Sequence, residues 1–409
     1  MLELVVFAYI FYLFLKMYAS VLEINYVMKA RQPKPIILSA ENYEKAAAYK
    51  IATQKLSLLT SLCDFILFFG WLAFGLSMLG RMEVVENELL RSVVFIMSYI
   101  VINYVFNLPF DLYQTFKLDR EFGFSTISVK TFMLDQFKSW IMFVVFGGAF
   151  FAAIGWIIAS FEWWWFYGFV FSFIVILCIN MIYPIVIVPL FNKLTPLEDE
   201  HLKHSIEALL EKAGLHSSGV FSLDASKRDN RLNAYFGGLG RSKRVVLFDT
   251  LIAKLNKEEL LAVLGHELGH FKHKDIIKNI ATSALMLFIM FACFGNLPED
   301  MFDLLHVEKF AGSIMVLFLM FSPILSFFIM PLFGLMSRYN EYKADEYGSE
   351  CESKEALASA LMKLADENKS FPHAHPLTIA LYFTHPPLIL RLKRLGVVFE
   401  QEGEEIAHS

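Results

Sequence analysis

The stretch Gly265-His266-Glu267-Leu268-Gly269-His270 is the part of the sequence around which the rest of the chain can be arranged. Residues four positions apart lie on one face of an α-helix, so His266 and His270 can offer two imidazoles to one metal ion, with Glu267 beside them as a general base. Just upstream, Asn256 with a glutamate three positions later is typical of a helix N-terminus, and an apolar stripe follows. The stretch is therefore predicted to be a helix that holds zinc.

The composition indicates a membrane protein. Of the 409 residues, 56% are hydrophobic and 19% are charged, and the mean hydropathy is +0.50. Apolar runs long enough to cross roughly 30 Å of hydrocarbon lie at about 2–22, 56–80, 92–112, 140–160, 163–188, 276–297 and 310–336. The first run lacks the positive n-region of a signal peptide and is taken as a retained span. The sequence thus predicts a multi-span α-helical membrane protein with seven transmembrane helices.

The basic residues of the loops predict the orientation of these spans. Lysine and arginine collect in the segment 23–55 and in the segment that follows the third span, whereas the other loops are poor in basic residues. Because such residues favour the cytoplasmic side, the N-terminus is expected outside and the zinc helix in the cytosol. The net charge of −5 gives no reason to expect a nucleic-acid partner, and the four cysteines form no CxxC pair.

Four segments follow from this topology. Strand-like stretches at 219–223, 233–236 and 244–248 predict a small sheet beside the zinc helix, and hence a cytosolic α+β, gluzincin-like zinc protease domain. The predicted segments are five N-terminal transmembrane helices (1–188), the first part of the protease domain with the sheet and zinc helix (189–275), a transmembrane hairpin of spans six and seven (276–336), and the second part of the protease domain with the C-terminal tail (337–409).

A third zinc ligand is expected, because catalytic zinc usually takes three protein ligands and a water. Glu341 and Asp345 lie four apart, just after the seventh span, whereas His270 lies just before the sixth. A helical hairpin returns to the side of the membrane that it left, so Glu341 is predicted as the third ligand of one Zn²⁺ per chain. Asp345 suits a carboxylate that fixes the tautomer of a ligand imidazole. An ordinary charged helix face is the alternative for this pair.

Together with these residues, further stretches of the chain resemble the type I CAAX prenyl proteases, which are membrane-embedded zinc metalloendopeptidases. The resemblance rests on His266–His270, Glu341–Asp345, Asn233–Phe236, Phe248–Leu251, Thr384–Pro387 followed by Arg391, Pro189–Lys193 and Phe122–Phe124.

The resemblance implies roles for particular residues. His266, His270 and Glu341 would hold zinc and Glu267 would be the general base, as the spacing also predicts. Asn233, Ala234 and Tyr235 would form an edge strand that pairs with the substrate backbone. His385 would contact the scissile carbonyl, although by itself it is an ordinary loop residue between Thr384 and Pro386. Arg391 could orient Asp345 or bind a substrate carboxylate.

The resemblance also implies a fold and a substrate. Seven helices would enclose a large chamber within the membrane, and substrates would be proteins with a prenylated cysteine near the C-terminus, from which the last three residues are removed. The expected partners are thus a lipid-modified or membrane-bound peptide or protein and the bilayer itself. The expected membrane is the bacterial inner membrane or, in a eukaryote, the endoplasmic reticulum. The oligomeric state is left open.

Two other functions are compatible with the sequence. A membrane quality-control zinc protease would use the same chemistry on unprenylated substrates, although five spans before the zinc helix favour the CAAX type. A transporter or non-catalytic scaffold would also suit seven spans, but it would not need Glu267 beside a metal.

Some polar residues have competing interpretations. His273 lies near the zinc face of its helix and is expected behind the ligands or at the surface. His373 and His375 suggest either an accessory metal or a proline-bounded loop. Asn103, Asn107 and Asp111 share one face of the third span, where they could line a water-filled chamber or form interhelical hydrogen bonds.

Overall fold

The computed structural model describes residues 2–31, 35–81, 85–215, 217–238 and 243–399. Among these residues, seven helices are long and apolar enough to cross a membrane. They are α1 (Leu2–Ala30), α2 (Ala40–Gly80), α3 (Glu88–Glu121), α4 (Val129–Ser160), α5 (Trp164–Phe191), α9 (Asp275–Phe294) and α11 (Ala311–Cys351). The count and the order of the spans agree with the sequence prediction.

The apolar runs mark only the middle of several longer helices. Helix α2 begins at Ala40 rather than near residue 56, α4 begins at Val129 rather than near residue 140, and α11 continues to Cys351 rather than ending near 336. The segment 23–55, expected as a loop, is therefore mostly helical. The reason is that a helix can extend beyond the hydrocarbon in both directions until it reaches a capping residue. Ser39, for example, caps the start of α2 by accepting a hydrogen bond from the backbone N–H of Asn42 at 3.2 Å.

The spans pack through bulky apolar side chains. Phe302, Met301 and Leu317 are almost fully buried in the largest apolar cluster, which joins α1, α2, α3 and α9 to α10 (Glu299–Leu304) and α11. By contrast, many leucines, phenylalanines and valines of the outer helix faces are exposed. Because lipid solvates such faces, this distribution is the one expected for a bundle in a bilayer.

The polar segment between the fifth and sixth spans forms a small domain. Its sheet has the order β1-β2-β4-β3, with β2 and β4 parallel and the outer pairs antiparallel. The strands are β1 (Leu194–Pro196), β2 (Val220–Leu223), β3 (Ala234–Gly237) and β4 (Arg244–Phe248). The sequence analysis missed β1, a three-residue strand that contains a proline and is tolerated because it lies at the edge.

Helices complete this domain. They are α6 (Glu200–Lys212), α7 (Asp249–Lys254), α8 (Lys257–Lys272), α12 (Lys354–Glu367), α13 (Pro376–Tyr382) and α14 (Leu388–Arg394). Leu247 of β4 and Leu264 and Leu268 of α8 share a buried core, so the sheet holds α8 in place. Asn256 and Glu259 form the expected capping box at the start of α8. Helix α11 thus joins the last span and the small domain in one continuous rod.

Candidate metal centre and active site

The predicted metal ligands meet at one point. One potential ligand atom from each of His266, His270 and Glu341 lies within 4.8 Å of the other two. Glu341 Oε2 is 3.5 Å from His266 Nε2, and Glu341 Oε1 is 3.3 Å from His270 Nε2. Two histidines from α8 and one glutamate from α11 therefore face each other with the nitrogen and oxygen donors that zinc accepts.

Close contact between α8 and α11 makes this meeting geometrically feasible. A Cβ atom added at Gly269 would lie 2.8 Å from Ala344 Cα, and one added at Gly265 would lie 2.8 Å from Cys351 Cβ. From the other side, a Cβ atom at Gly348 would lie 2.8 Å from the backbone nitrogen of His266. Contacts this short leave no room for a side chain, so the three glycines let the ligand-bearing helices approach backbone to backbone.

Each ligand histidine has a carboxylate behind it. His266 Nδ1 is 2.9 Å from Asp345 Oδ1, which fits the predicted role of Asp345. Arg391 Nε donates to Asp345 Oδ2 at 2.8 Å, and its guanidinium also lies 3.6 Å from Glu341. Of the two roles considered for Arg391, the geometry therefore favours the orientation of Asp345.

The carboxylate behind His270 was missed by the sequence analysis. His270 Nδ1 is 3.1 Å from Oδ2 of Asp275, which is 2% exposed. Lys274 has a φ angle of 57°, and this left-handed residue turns the chain from α8 into α9 so that Asp275 returns to His270. The only sequence signal was general: a metal-bound histidine usually has an acidic or carbonyl partner.

The buried charges fit a bound cation. Glu341 Oε2 is buried, and within the described residues it accepts no hydrogen bond. A buried carboxylate oxygen without a partner is costly unless a cation completes its surroundings. Burial alone would lower the pKa of His270, but hydrogen bonds with Glu341 and Asp275 raise it to about 9. Both imidazole Nε2 atoms and the free carboxylate oxygen converge on the same place, so the donor set fits a divalent metal ion.

Glu267 lies beside this cluster and lines a cavity of about 130 Å³. Other walls of this cavity are His266, Asn233, Ala234 and His385. Glu267 is half-buried, whereas His266, the preceding residue in the helix, is buried. Its carboxylate is therefore accessible from the space in which a reacting water and a substrate carbonyl would meet.

His385 reaches the metal cluster from the loop before α14. Its Nε2 atom is 3.3 Å from Glu341 Oε1, while 64% of its side chain is exposed to the open cavity. Desolvation by the surrounding protein lowers its pKa and the Arg391 charge adds to this effect, although Glu341 acts in the opposite direction. The lowered pKa favours the neutral imidazole, which has one N–H to donate to a nearby oxygen.

Strand β3 provides a free backbone edge beside the cavity. It pairs with β4 on one side and is the last strand of the sheet. Ala234 lines the cavity of the metal centre, whereas the hydroxyl of Tyr235 is buried and its ring meets the Phe248 ring edge-on. The Tyr235 side chain therefore packs into the domain and holds the strand in place.

The start of β3 is fixed by Asn368, which sequence reasoning did not identify. The Asn368 amide accepts from the backbone N–H of Leu232 at 2.7 Å and donates to the Leu232 carbonyl at 3.1 Å. An amide side chain that satisfies both backbone groups acts as a one-residue extension of the sheet. No pattern in the sequence connects these two distant residues.

The remaining polar candidates lie away from the metal cluster. His273 is the residue that ends α8, and His375 caps α13 by accepting from the backbone N–H of Leu377 at 3.1 Å. His373 and His375 lie in the loop between Pro372 and Pro376, and among the described residues the only group of three converging histidine or acidic side chains is His266, His270 and Glu341.

The polar face of the third span satisfies itself locally. Asn103 donates to the Tyr99 carbonyl at 2.8 Å and Asn107 to the Asn103 carbonyl at 3.0 Å, both within α3. One of the two interpretations expected hydrogen bonds between helices. Both of these bonds lie within a single helix and do not support it. Asn103 lines a cavity of about 210 Å³, and Asp111 is exposed.

Two family models match consecutive parts of the chain. Residues 23–193 match the CAAX prenyl protease N-terminal domain, described as five membrane helices. Residues 196–397 match peptidase family M48. This part contains the three candidate metal ligands His266, His270 and Glu341, together with β3 and His385.

Similar proteins cover nearly the whole chain. A CAAX prenyl protease 1 homolog of Arabidopsis thaliana is 33% identical over 390 residues, covering 89% of this chain and 90% of that protein. The CAAX prenyl protease 1 of Saccharomyces cerevisiae is 34% identical over 320 residues, covering 72% of this chain and 70% of that protein. The crystal structure of S. mikatae Ste24p superimposes with a TM-score of 0.88 at 28% identity, covering 96% of this chain and 98% of that one.

Proposed function

Because the chain belongs to the type I CAAX prenyl protease family, within peptidase family M48, we propose that it removes C-terminal residues from prenylated CAAX-type proteins. The protein is a multi-pass membrane metalloendopeptidase. The observation that carries the assignment of the catalytic metal site is the buried Glu341 Oε2 atom, which lies 3.5 Å from His266 Nε2 and accepts no hydrogen bond among the described residues. Membership in a peptidase family removes the alternative of a silent transporter or scaffold.

The proposed ligands of one Zn²⁺ per chain are His266, His270 and Glu341. Asp345 and Asp275 hold the two imidazoles with their Nε2 atoms toward Glu341, where they would bind the ion, and Arg391 holds Asp345. Bound zinc supplies a Lewis acid that polarises the scissile carbonyl and lowers the pKa of water.

Glu267 is the proposed general base. Its carboxylate takes a proton from the water that attacks the scissile carbonyl carbon, and it returns that proton to the nitrogen of the leaving amine. His385 donates its N–H to the carbonyl oxygen as negative charge develops there. This role needs a neutral imidazole with a free N–H, which is the form that its lowered pKa favours.

Strand β3 is proposed to align the substrate. The segment Asn233–Tyr235 would pair with an extended peptide, which would add a strand to the free edge of the sheet. The Asn233 carbonyl accepts from the backbone N–H of Phe248 in β4, so the backbone N–H and C=O groups of Ala234, the next residue, are the ones that face the free edge. Ala234 and Glu267 line the same cavity, so a peptide on this edge would pass in front of the proposed base.

The active site is proposed to face the cytosol at the membrane surface. Support comes from the basic residues near the connection between α1 and α2 and near the connection between α3 and α4, which favour that side under the positive-inside rule. Since α9 and α11 both carry site residues at the ends that leave the membrane, a lipid-anchored peptide can reach the metal without full extraction. The membrane would be the endoplasmic reticulum in a eukaryote or the inner membrane in a bacterium.

The proposal is tested with two peptides and two forms of the protein. Purified wild-type protein and its Glu267→Ala variant are loaded with zinc and assayed on a farnesylated CAAX peptide and on its unprenylated counterpart. The wild type should cut the farnesylated peptide after the modified cysteine, and Glu267→Ala should bind zinc but lose turnover by at least about a hundredfold.

Two results would contradict parts of the proposal. If zinc binds and the wild type cuts neither peptide, the protease assignment to these residues is wrong. Equal cleavage of both peptides would instead favour a membrane quality-control protease that acts on unprenylated substrates.

A further inference from the structure

A second, larger cavity opens beside the metal centre. Its volume is about 630 Å³, which lies within the range of pockets that bind small organic ligands. It shares Asn233, His385 and Arg391 with the small cavity in front of Glu267, so the two spaces are contiguous. A peptide that leaves the metal centre in this direction enters the larger cavity.

The charge of this cavity is one-sided. Lys50, Lys369 and Arg391 line it, and its described walls contain no aspartate or glutamate. Arg391 is already engaged by Asp345, and Lys50 lies 3.5 Å from the buried carboxylate of Glu23. Lys369 is different, because its ammonium donates to a neutral group, the carbonyl oxygen of Asp366, at 3.0 Å. The carboxylate on which its charge acts, that of Glu41, already accepts a hydrogen bond from Lys45. Its charge is therefore the one best placed to attract an anion.

The two ends of β3 lie beside side chains of different polarity. Asn368 holds Leu232 just before the strand, and Lys369 follows Asn368 directly. At the other end, a Cβ atom on Gly237 would lie 3.3 Å from the Cβ of Pro184 in α5. The same stretch of α5 lines an almost wholly apolar cavity of about 740 Å³ between the spans. The edge strand thus begins near a cation and ends near an apolar space.

This polarity matches one orientation of a lipidated C-terminus. In an antiparallel pairing, the C-terminal end of the substrate meets the beginning of β3 and its N-terminal end meets Gly237. Three extended residues beyond the scissile bond span roughly 10 Å, which ends in a carboxylate. That carboxylate then lies in the cavity that contains Lys369, while the lipidated side faces the apolar end of the strand.

We propose that Lys369, in the cation-lined cavity next to the metal centre, binds the terminal carboxylate of the substrate and so favours substrates with a free C-terminus. This inference rests on the proposed function and names a specificity-determining residue that does not touch the scissile bond. Lys50 and Arg391 strengthen the positive potential of the cavity without contacting the carboxylate.

The test uses two farnesylated peptides that are identical except for their C-terminus, one a free acid and one a carboxamide. The wild type should cut the acid with a kcat/KM about ten- to a hundredfold above that of the amide, which is the range expected for a charge-assisted hydrogen bond. In Lys369→Gln this preference should fall to about threefold or less. The loss should come from a higher KM for the acid, with little change for the amide.

Two variants guard against a merely structural effect. Lys369→Arg keeps the charge and should restore most of the preference for the acid. Lys354→Gln removes one charge from an exposed position at the other end of α12 and should behave like the wild type on both peptides.

The outcomes separate this inference from the proposed function. Cleavage of neither peptide by the wild type would refute the proposed function. Equal cleavage of acid and amide by the wild type would refute the carboxylate site alone. An undiminished preference in Lys369→Gln, or an equal loss on both peptides, would show that Lys369 does not bind the carboxylate.

Discussion

Replacing Gly269 by alanine should weaken metal binding while the protein still folds. Ordinary van der Waals contact begins at about 3.4 Å, whereas the new Cβ would lie 2.8 Å from Ala344 Cα, so α8 and α11 must move apart by about 0.6 Å. Gly269 is one residue from His270, and Ala344 is one residue from Asp345. Functional metal sites tolerate deviations of only about 0.2 Å in ligand distance, so this shift is large for the centre.

The effect of Gly269→Ala on the free energy of unfolding should be small. Alanine in place of a helical glycine gains about 1 kcal/mol of helix propensity, while overpacking costs about 1–3 kcal/mol. The net effect is a loss of about 0–2 kcal/mol, so the thermal transition of the Gly269→Ala variant should fall by no more than a few degrees. Metal affinity, in contrast, should fall by about 10- to 100-fold, as it does when the groups that support metal ligands are disturbed.

The assay is competition for zinc with a chelator, run beside thermal unfolding of the metal-free protein. Gly148→Ala is the matched control, because this helical glycine has no atom within 4 Å of an added Cβ. It should gain helix stability and bind zinc as the wild type does. If Gly269→Ala binds zinc within about threefold of the wild type, then the close helix contact does not set the geometry of the centre.

Three further outcomes are expected. Asp345→Asn should lower zinc affinity by about 10- to 100-fold, because His266 loses the carboxylate that orients it; unchanged chelator competition would count against that role. Although burial would raise the pKa of Glu259, hydrogen bonds from Lys363 and Ser359 lower it, so its stabilising effect is complete above about pH 4.5 and is lost as the pH falls through the folded-state pKa. Glu259→Gln should therefore be less stable at pH 7 by about 1–3 kcal/mol, with the difference shrinking below pH 4.5 in thermal unfolding; a difference independent of pH would contradict this. Since the pKa of His270 is about 9, zinc binding at pH 8 should release about one proton, measured by calorimetry in buffers of different ionisation enthalpy, and affinity should fall as the pH decreases below 9; binding without proton release would refute the protonated state.

Regular features of this protein could be predicted from the sequence because they follow a period or a length. The four-residue spacing of His266 and His270 places them on one helical face, and apolar runs of about twenty residues locate the spans. Glu341 was found by combining the two, since the ends of a helical hairpin must lie on the same side of the membrane.

Features that depend on contacts between distant residues could not be predicted in this way. Asp275 reaches His270 through a left-handed turn at Lys274, a residue type that rarely adopts this conformation. Asn368 meets Leu232 across 136 positions. Gly269 was visible in the sequence, but its meaning appears only when the opposing backbone of Ala344 is present.

The continuity of α11 has a consequence for how this enzyme is made. One rod of 41 residues contains both the last span and the proposed third ligand, and it is synthesised after the two histidines. The catalytic centre is therefore not complete until the final span has been inserted and its far end has folded back onto α8. A ribosome that stops before Glu341 releases a chain that carries the base and two imidazoles but cannot assemble the full donor set.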